Sequence, residues 1–358
     1  MVCVSTPRLM LNKETLKQNI RAMQSAADKA QVKLRPHIKA HKCSEIMNMQ
    51  LAAGAIGITT AKLGEAEAMA RSGATDIFIA YPVVGTEKSS RLANLAKRVR
   101  VSVAIDDFSA ASHLAQYFCE VQPLDVLIEV DTGLRRCGVL PQDAPALARA
   151  LMGLPSLRLK GIFTHAGHVY GASPDRVAAV GLDEARVMTD LAHELRRLGC
   201  SLEVVSTGST PTALHNLQVP GVTEIRPGNY VFYDAIQVGL GVASLAACAL
   251  YVRATVVSRP TDFRCVIDAG SKVLGLDKGA HGTSIVTGFG TVLGHPELTI
   301  ERLSEEHGVV VSAQAVPPLG TELSIIPNHA CVTVNLADSL YVEDGGEVWP
   351  VTARGRVD

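Results

Sequence analysis

Basic side chains are concentrated in one short segment near the start of the chain. The segment has the sequence RPHIKAHK (35–42) and follows an apolar run. Neighbouring positive charge and partial burial both lower the pKa of an amine, and a neutral amine is a nucleophile that can form a Schiff base with a carbonyl group. Spacing alone does not separate Lys39 from Lys42 or Lys62, and an exposed basic cluster would have the same composition.

Two later segments have the composition of an anion-binding turn. The first is Thr207-Gly208-Ser209-Thr210, which leaves an apolar run and leads towards a helix. Its small residues allow close backbone approach, and its hydroxyls and free N–H groups favour a phosphate. The second is Arg226-Pro227-Gly228-Asn229-Tyr230, which follows the next apolar run. Two ordinary turns are the alternative, and a phosphate here could belong to a sugar phosphate or to pyridoxal phosphate.

A histidine and a cysteine separated by one residue could bind a metal. His329 immediately precedes the β-rich run 330–334, and Cys331 lies within it. The run predicts a strand, and residues two apart in a strand point to the same face, so the two side chains are expected to lie together. Imidazole and thiolate suit Zn²⁺, with Mn²⁺ or Mg²⁺ as alternatives, and two protein ligands leave positions open for water or substrate. A buried structural cysteine is the other interpretation.

The first two thirds of the chain predict the elements that must position these groups. Short apolar runs alternate with segments of helical period, such as 13–30, 63–72, 91–98 and 175–198. The eight runs are 32–35, 56–58, 77–80, 101–105, 126–130, 159–163, 202–205 and 222–225. This alternation indicates an α/β protein with a closed (β/α)₈ TIM-type barrel over about residues 13–240, whose active site lies at the carboxyl ends of the strands. An open doubly wound sheet is disfavoured because no Gly-rich dinucleotide loop follows the first run.

The remainder of the chain, about 241–358, predicts an antiparallel β domain. A further predicted strand at 6–11 could pair with either domain, so residues 1–12 could join the β domain. The predicted strands after residue 240 are 250–258, 264–268, 283–288, 309–313, 322–326 and 330–334.

Composition excludes several classes of partner. The chain has 34 basic and 35 acidic residues and a net charge of −1, so neither nucleic acid nor a membrane surface is an expected partner. Its eight cysteines form no CxxC pairs, which indicates free thiols in a reducing compartment. The first residues carry no basic-then-apolar signal segment, and a cytoplasmic location is expected.

Motifs spread along nearly the whole chain match one known family. They are LRPHIKAHK (34–42), TAKLGEAE (60–67), EVDTGLRRCG (129–138), GIFTHAGHVY (161–170), RPGNY (226–230), LSEEHG (303–308) and PNHAC (327–331). Together they closely resemble the D-threonine aldolase and D-serine dehydratase family, whose members are fold-type III pyridoxal-phosphate enzymes related to alanine racemase. The family is expected to form homodimers, with each site near the partner's β domain.

The resemblance implies a role for each candidate residue. Lys39 would carry pyridoxal phosphate covalently and act as the catalytic residue, and His329 and Cys331 would hold the metal. Arg226 occupies the position from which related barrels contact the pyridine nitrogen. Because an arginine leaves that nitrogen unprotonated, help at the β-carbon is expected from the metal. The residues expected to bind the cofactor are Lys39, Tyr170, Thr207, Gly208, Ser209, Arg226, Gly228 and Asn229.

The implied substrate is a small β-hydroxy D-amino acid. Family aldolases usually carry His-x-Asp where dehydratases carry His-x-Cys, so Cys331 favours dehydration of D-serine or D-threo-3-hydroxyaspartate to a keto acid and ammonia. Retro-aldol cleavage of D-threonine or 3-hydroxyaspartate to glycine and an aldehyde is the alternative. His307 is a further candidate for the site, and Asp131, Arg135 and Arg136 could contact a substrate carboxylate or a second subunit.

Two other classes remain as alternatives. An amino-acid racemase would need a second base, usually a tyrosine, from the β domain. Tyr251 and Tyr341 are the only tyrosines after residue 250, and neither lies in a racemase-like motif. A non-catalytic pyridoxal-phosphate carrier of this barrel type would lack the β domain.

Overall fold

The computed structural model describes residues 5–343 and 345–358 and contains two sheets. The strands are β1 (Arg8–Leu11), β2 (Lys33–Leu34), β3 (Ile58–Thr60), β4 (Asp76–Pro82), β5 (Arg100–Ile105), β6 (Leu124–Val130), β7 (Leu157–Thr164), β8 (Val204–Thr207), β9 (Glu224–Ile225), β10 (Leu250–Thr261), β11 (Arg264–Ile267), β12 (Thr291–Val292), β13 (Thr299–Leu303), β14 (Gly308–Val311), β15 (Glu322–Ile326), β16 (Ser339–Val342) and β17 (Val348–Pro350). The helices are α1 (Lys13–Lys29), α2 (Ser44–Ala52), α3 (Leu63–Arg71), α4 (Thr86–Ala96), α5 (Phe108–Ala115), α6 (Ala144–Met152), α7 (Val177–Arg197), α8 (Ala213–Asn216), α9 (Ala235–Gly239), α10 (Ser271–Leu274) and α11 (Ala330–Leu336).

The strands β2 to β9 are all parallel and form a barrel. Their order is β2-β9-β8-β7-β6-β5-β4-β3. The end strands meet through a parallel bridge between His37 and Thr59, and the Thr59 N–H donates to the Pro36 carbonyl at 2.8 Å. Each of the eight apolar runs overlaps one of these strands, so the predicted barrel is confirmed.

Side chains fill the barrel interior beneath the carboxyl ends of the strands. Phe78, Ala104, Leu127 and Phe163 are buried together, and the two phenylalanine rings meet edge to face with centroids 4.9 Å apart. The interior is therefore a packed core at this level, and a ligand of the barrel would lie above it, at the carboxyl ends of the strands.

The second sheet has nine strands and is mainly antiparallel, as predicted. Its long central strand β10 pairs antiparallel with β1, β11 and β15. Since β1 pairs with β10 and with β16, the first strand belongs to this sheet and not to the barrel. None of the helices in the described part of the chain has the length and apolarity that crossing a bilayer requires.

The predicted strand at 283–288 is wrong. These residues form a loop between α10 and β12. Gly282 and Gly288 adopt positive φ angles of 82° and 71°, which interrupt an extended run.

The predicted strand at 330–334 is also wrong, because these residues lie in helix α11. The Ala330 N–H at the helix start donates to Asp234 Oδ2 at 2.9 Å, and Ala330, Thr333 and Val334 are buried. Contacts with the rest of the fold therefore override the preference of β-branched residues for strands.

Candidate active site

A cavity of about 700 Å³ opens at the carboxyl ends of the barrel strands, beside the β domain. Thr207, the last residue of β8, does not line this cavity because it is fully buried. Its hydroxyl has no hydrogen-bond partner in the described part of the chain. The other predicted site residues all line the cavity: Lys39, Tyr170, Gly208, Ser209, Arg226, Gly228, Asn229, His329 and Cys331.

Lys39 is presented to the cavity by a 3-10 turn after β2. His37 precedes this turn, Ile38–Ala40, and its Nδ1 accepts a hydrogen bond from the Lys39 N–H at 3.4 Å. Ile38 and Ala40 are buried, which anchors the turn on both sides of the half-buried lysine. Burial lowers the pKa of the Lys39 amine, as a nucleophilic or basic lysine requires.

The other two lysines that spacing left open have partners of their own. Lys42 Nζ donates to Asn335 Oδ1 at 2.8 Å and lies 3.2 Å from Glu65 Oε1. Lys62 Nζ lies 3.7 Å from the centre of the Tyr81 ring, a cation–π contact. These contacts occupy both ammonium groups, so the geometry favours Lys39 as the reactive amine.

Two glycines shape the turns predicted to accept a phosphate. Gly208 has a φ of +85°, and a Cβ there would lie 2.8 Å from Asn216 Oδ1. A Cβ on Gly228 would lie 2.7 Å from the His37 carbonyl oxygen, so the turn after β9 packs directly on the loop that carries Lys39. Neither position has room for a side chain, and the backbone itself faces the cavity there.

The side-chain nitrogen of Asn229 is engaged by other protein groups. Its Nδ2 donates to Asp234 Oδ2 at 2.5 Å and lies 3.8 Å from Cys331 Sγ. The predicted phosphate contact of Asn229 would therefore have to come from its backbone.

Arg226 is held over the barrel core by both terminal nitrogens of its guanidinium. Its Nη1 donates to Ser206 Oγ and its Nη2 to the Thr164 carbonyl, both at 2.5 Å. The guanidinium lies 5.0 Å from the centre of the Phe163 ring. Its buried Nε has no partner within residues 5–343 and 345–358. An unpaired buried donor costs about 1–3 kcal/mol, and the ring nitrogen of a bound pyridine would satisfy it. This orphaned donor fits the expected cofactor.

His329 and Cys331 come together although they do not lie in a strand. His329 precedes helix α11 in an extended conformation, and Cys331 lies in its first turn. Although burial opposes it, the neighbouring Cys331 and the hydrogen bond to the Asp277 carboxylate raise the pKa of His329 to about 11. A divalent cation can take the place of that proton between imidazole and thiolate, so the donor set fits the expected metal. No cluster of three or more His, Cys, Asp or Glu side chains suited to a metal is found among the described residues.

Two histidines in the cavity add groups that the predicted site did not include. His165 follows β7 and His281 lies in the loop between α10 and β12, with their Nε2 atoms 3.4 Å apart. Burial and the charges of Lys39 and Arg136 lower the pKa of His281 to about 4, and burial also lowers that of His165 well below 6.5. Both rings are therefore neutral at pH 7 and can donate or accept hydrogen bonds.

Of the four further candidates, Asp131, Arg135, Arg136 and His307, only one lines the cavity. Arg136 lines the cavity, whereas Arg135 does not. Asp131 accepts hydrogen bonds from the Gly133 and Arg135 N–H groups, which is a structural role. His307 is exposed in the turn between β13 and β14, away from the site.

Glu129 should make the stability of the protein depend on pH. Burial raises the pKa of this carboxyl group, at the end of β6, from about 4.5 to about 7. Between these pH values the folded protein binds a proton that the unfolded chain does not, so stability falls as pH rises through this window. Glu129→Gln should remove that part of the slope in thermal unfolding of cofactor-free protein. The exposed control Glu120→Gln should retain it, and equal slopes in both variants would contradict the assignment.

Family models match both parts of the chain. The alanine racemase N-terminal domain matches residues 11–235, and the putative serine dehydratase domain matches residues 249–343. The chain is 37% identical to D-threonine aldolase of Arthrobacter sp, over 98% of this chain and 93% of that protein. It is 34% identical to D-threo-3-hydroxyaspartate dehydratase of Delftia sp. strain HT23, over 93% of this chain and 92% of that protein.

Solved structures agree with these sequence matches. D-threonine aldolase from Filomicrobium marinum superposes with a TM-score of 0.90 at 33% identity, covering 99% of this chain and 96% of that one. A cysteine-to-alanine variant of D-threo-3-hydroxyaspartate dehydratase in its metal-free form gives the same TM-score and identity, covering 97% of each chain.

Proposed function

The chain belongs to the family of D-threonine aldolase, D-threo-3-hydroxyaspartate dehydratase and D-serine dehydratase, and on that premise we propose that it dehydrates β-hydroxy D-amino acids with pyridoxal phosphate and a divalent metal. The observation that carries the proposal is the convergence, in one cavity, of Lys39 with the pair His329 and Cys331. The products would be a keto acid and ammonia.

The cofactor would be held by groups on the barrel. Pyridoxal phosphate, when bound, supplies an aldehyde for covalent attachment and a ring that withdraws electrons from the substrate α-carbon. Lys39 would hold it through Nζ, and the turns at Gly208 and Gly228 would accept its phosphate. Arg226 would donate its free Nε–H to the ring nitrogen and leave that nitrogen without a proton, since an arginine stays charged.

Lys39 would also move the proton that starts the reaction. Its amine has a lowered pKa and faces the cavity, so the neutral form can take the α-proton of the substrate. His165 and His281, both neutral, lie at the same cavity and can hydrogen-bond the substrate without carrying charge.

His329 and Cys331 would hold the metal. A bound divalent cation supplies a Lewis acid for the β-oxygen, which is otherwise a poor leaving group. Imidazole and thiolate together suit Zn²⁺ better than Mn²⁺ or Mg²⁺, which prefer carboxylates. D-threo-3-hydroxyaspartate dehydratase, a structural relative, is described in a metal-free form, which supports a metal in this family.

Aldol cleavage is the second candidate function. The similarity to D-threonine aldolase of Arthrobacter sp favours it, whereas Cys331 in the position where family aldolases usually carry aspartate favours dehydration. The same lysine and metal would serve both reactions, because they differ in whether the C–O bond or the Cα–Cβ bond breaks.

Product analysis separates these two reactions. Incubation with D-serine, D-threonine and the 3-hydroxyaspartate isomers should yield keto acid and ammonia in equal amounts from D-serine or D-threo-3-hydroxyaspartate. Chelation should stop turnover, and added Zn²⁺ should restore it. Glycine with an aldehyde would instead assign the aldolase reaction, and loss of optical activity without either product would assign a racemase.

We further propose that the protein acts as a homodimer in the cytoplasm on this small-molecule substrate. Analytical ultracentrifugation of the cofactor-loaded protein tests the assembly, for which a single species of twice the 37.9 kDa chain mass is expected.

A further inference from the structure

Asp277 contacts the metal-binding histidine from a part of the chain that supplies no metal ligand. It lies in the loop between α10 and β12, and its Oδ2 accepts a hydrogen bond from His329 Nδ1 at 2.7 Å. The Asp277 carbonyl oxygen also accepts from Asn328 Nδ2 at 2.9 Å, and the same amide donates to the Gly288 carbonyl at 2.9 Å. The loop is thus hydrogen-bonded twice to Asn328 and once to His329.

The carboxylate decides which nitrogen of the imidazole is available. With the proton of the neutral ring held on Nδ1 by Asp277, the lone pair lies on Nε2, the nitrogen left for a metal. A carboxylate in this position also fixes the rotation of the ring and makes it a better electron donor. The Asp277 side chain is 39% exposed, so the contact is not required to fill the core.

The same loop carries a second group into the cavity. Its residues Ala280 and His281 line the cavity, and His281 lies against His165 on the barrel. The loop is braced internally by the N–H groups of Ile285 and Val286, which donate to the Lys278 carbonyl at 2.9 and 3.1 Å. Asp277 therefore links the metal-binding histidine to a braced loop that covers the site.

We propose that Asp277 is a positioning residue that orients His329 for metal binding, and that through it metal binding holds the loop 275–290 over the cavity. This inference rests on the proposed function, because it requires the metal. Coupling of this kind is reciprocal: if metal binding orders the loop through the Asp277–His329 hydrogen bond, the ordered loop raises the affinity for the metal by the same factor.

The test compares Asp277→Ala and Asp277→Asn with the control Asp262→Asn, which alters an acid 74% exposed in the turn between β10 and β11. Zinc affinity is measured on cofactor-loaded protein by competition with a chromophoric chelator. Asp277→Ala should weaken it about 10–100-fold, the range found for such outer carboxylates, and Asp277→Asn should weaken it less because its carbonyl can still accept from Nδ1. The control should bind zinc like the wild type.

Amide hydrogen exchange gives the second readout. Zinc should slow exchange over residues 278–288 in the wild type and not in Asp277→Ala. Unchanged affinity in Asp277→Ala, with affinity lost in His329→Ala, would overturn the role of Asp277 and leave the proposed function intact. If the wild type binds no zinc through His329, both the inference and the proposed metal dependence fail.

Discussion

Replacing Lys39 with alanine should abolish the yellow absorbance of the lysine-bound cofactor and lower turnover by at least about 10²–10⁴-fold, the contribution of a positioned acid or base. The effect should be large because Lys42 and Lys62 are engaged by Asn335 with Glu65 and by Tyr81, so neither is free to replace Lys39. Absorbance spectra of the variant after saturation with pyridoxal phosphate, followed by assay with D-serine, measure both effects.

Lys62→Ala is the matched control for this experiment. Lys62 lines the same cavity, so Lys62→Ala removes the same charge from the cavity as Lys39→Ala does. The Lys62→Ala protein should nevertheless retain the yellow absorbance. Lys42→Ala is a poor control because it would remove the ion-pair partner of the buried Glu65 carboxylate. A Lys39→Ala variant that remains yellow and active, or a Lys62→Ala variant that loses the absorbance, would refute the assignment.

The barrel could be predicted because its strands are buried on both faces. Such strands appear as nearly continuous apolar runs, and β6 with the sequence LDVLIEV is an example. The amphipathic period of α1 predicted a helix over 13–30, within one residue of its observed bounds Lys13–Lys29. Parallel strands that follow one another through helical crossovers tend to lie side by side, as these eight do. Local pattern was therefore sufficient for this part of the fold.

Helix α11 could not be predicted from local pattern. The run Val332-Thr333-Val334 has strand propensity, but Asp234 binds the N–H at the helix start from 96 positions earlier in the chain. That contact forms only after the barrel and β domain have met. The predicted proximity of His329 and Cys331 nevertheless agrees with the structure, because the turn from an extended residue into a helix also brings these two side chains together.

No sequence pattern placed Asp277 and His281 at the site. Both lie in a Gly-rich loop without period, and their contacts with His329 and His165 span 52 and 116 positions. Residues of this kind become candidates only when the folded chain places them beside a group already identified. The reactive lysine likewise could not be chosen from the sequence alone. Spacing left three candidates, and the contacts that Lys42 and Lys62 make in the folded chain distinguish them from Lys39.

Removal of Cys331, the proposed cysteine ligand, should have the second largest effect. In the proposed site His329 and Cys331 are the two protein ligands, so loss of the thiolate would leave the cation on a single imidazole, and Cys331→Ala should purify with little metal. Lewis-acid assistance contributes several kcal/mol, so dehydration should slow by roughly a thousandfold or more. Metal content by mass spectrometry and turnover with added Zn²⁺ measure the two losses.

Two further variants make this result specific to the metal. Cys137→Ala removes another thiol that lines the cavity and should keep its zinc, so equal metal loss in both variants would argue against Cys331 as a ligand.

Cys331→Asp replaces the thiolate with a harder carboxylate, which should shift the preference from Zn²⁺ towards Mn²⁺. If the identity of this ligand selects the reaction, Cys331→Asp should also form more glycine and aldehyde relative to keto acid. An unchanged product ratio, with Mn²⁺ bound, would mean that other residues decide which bond breaks.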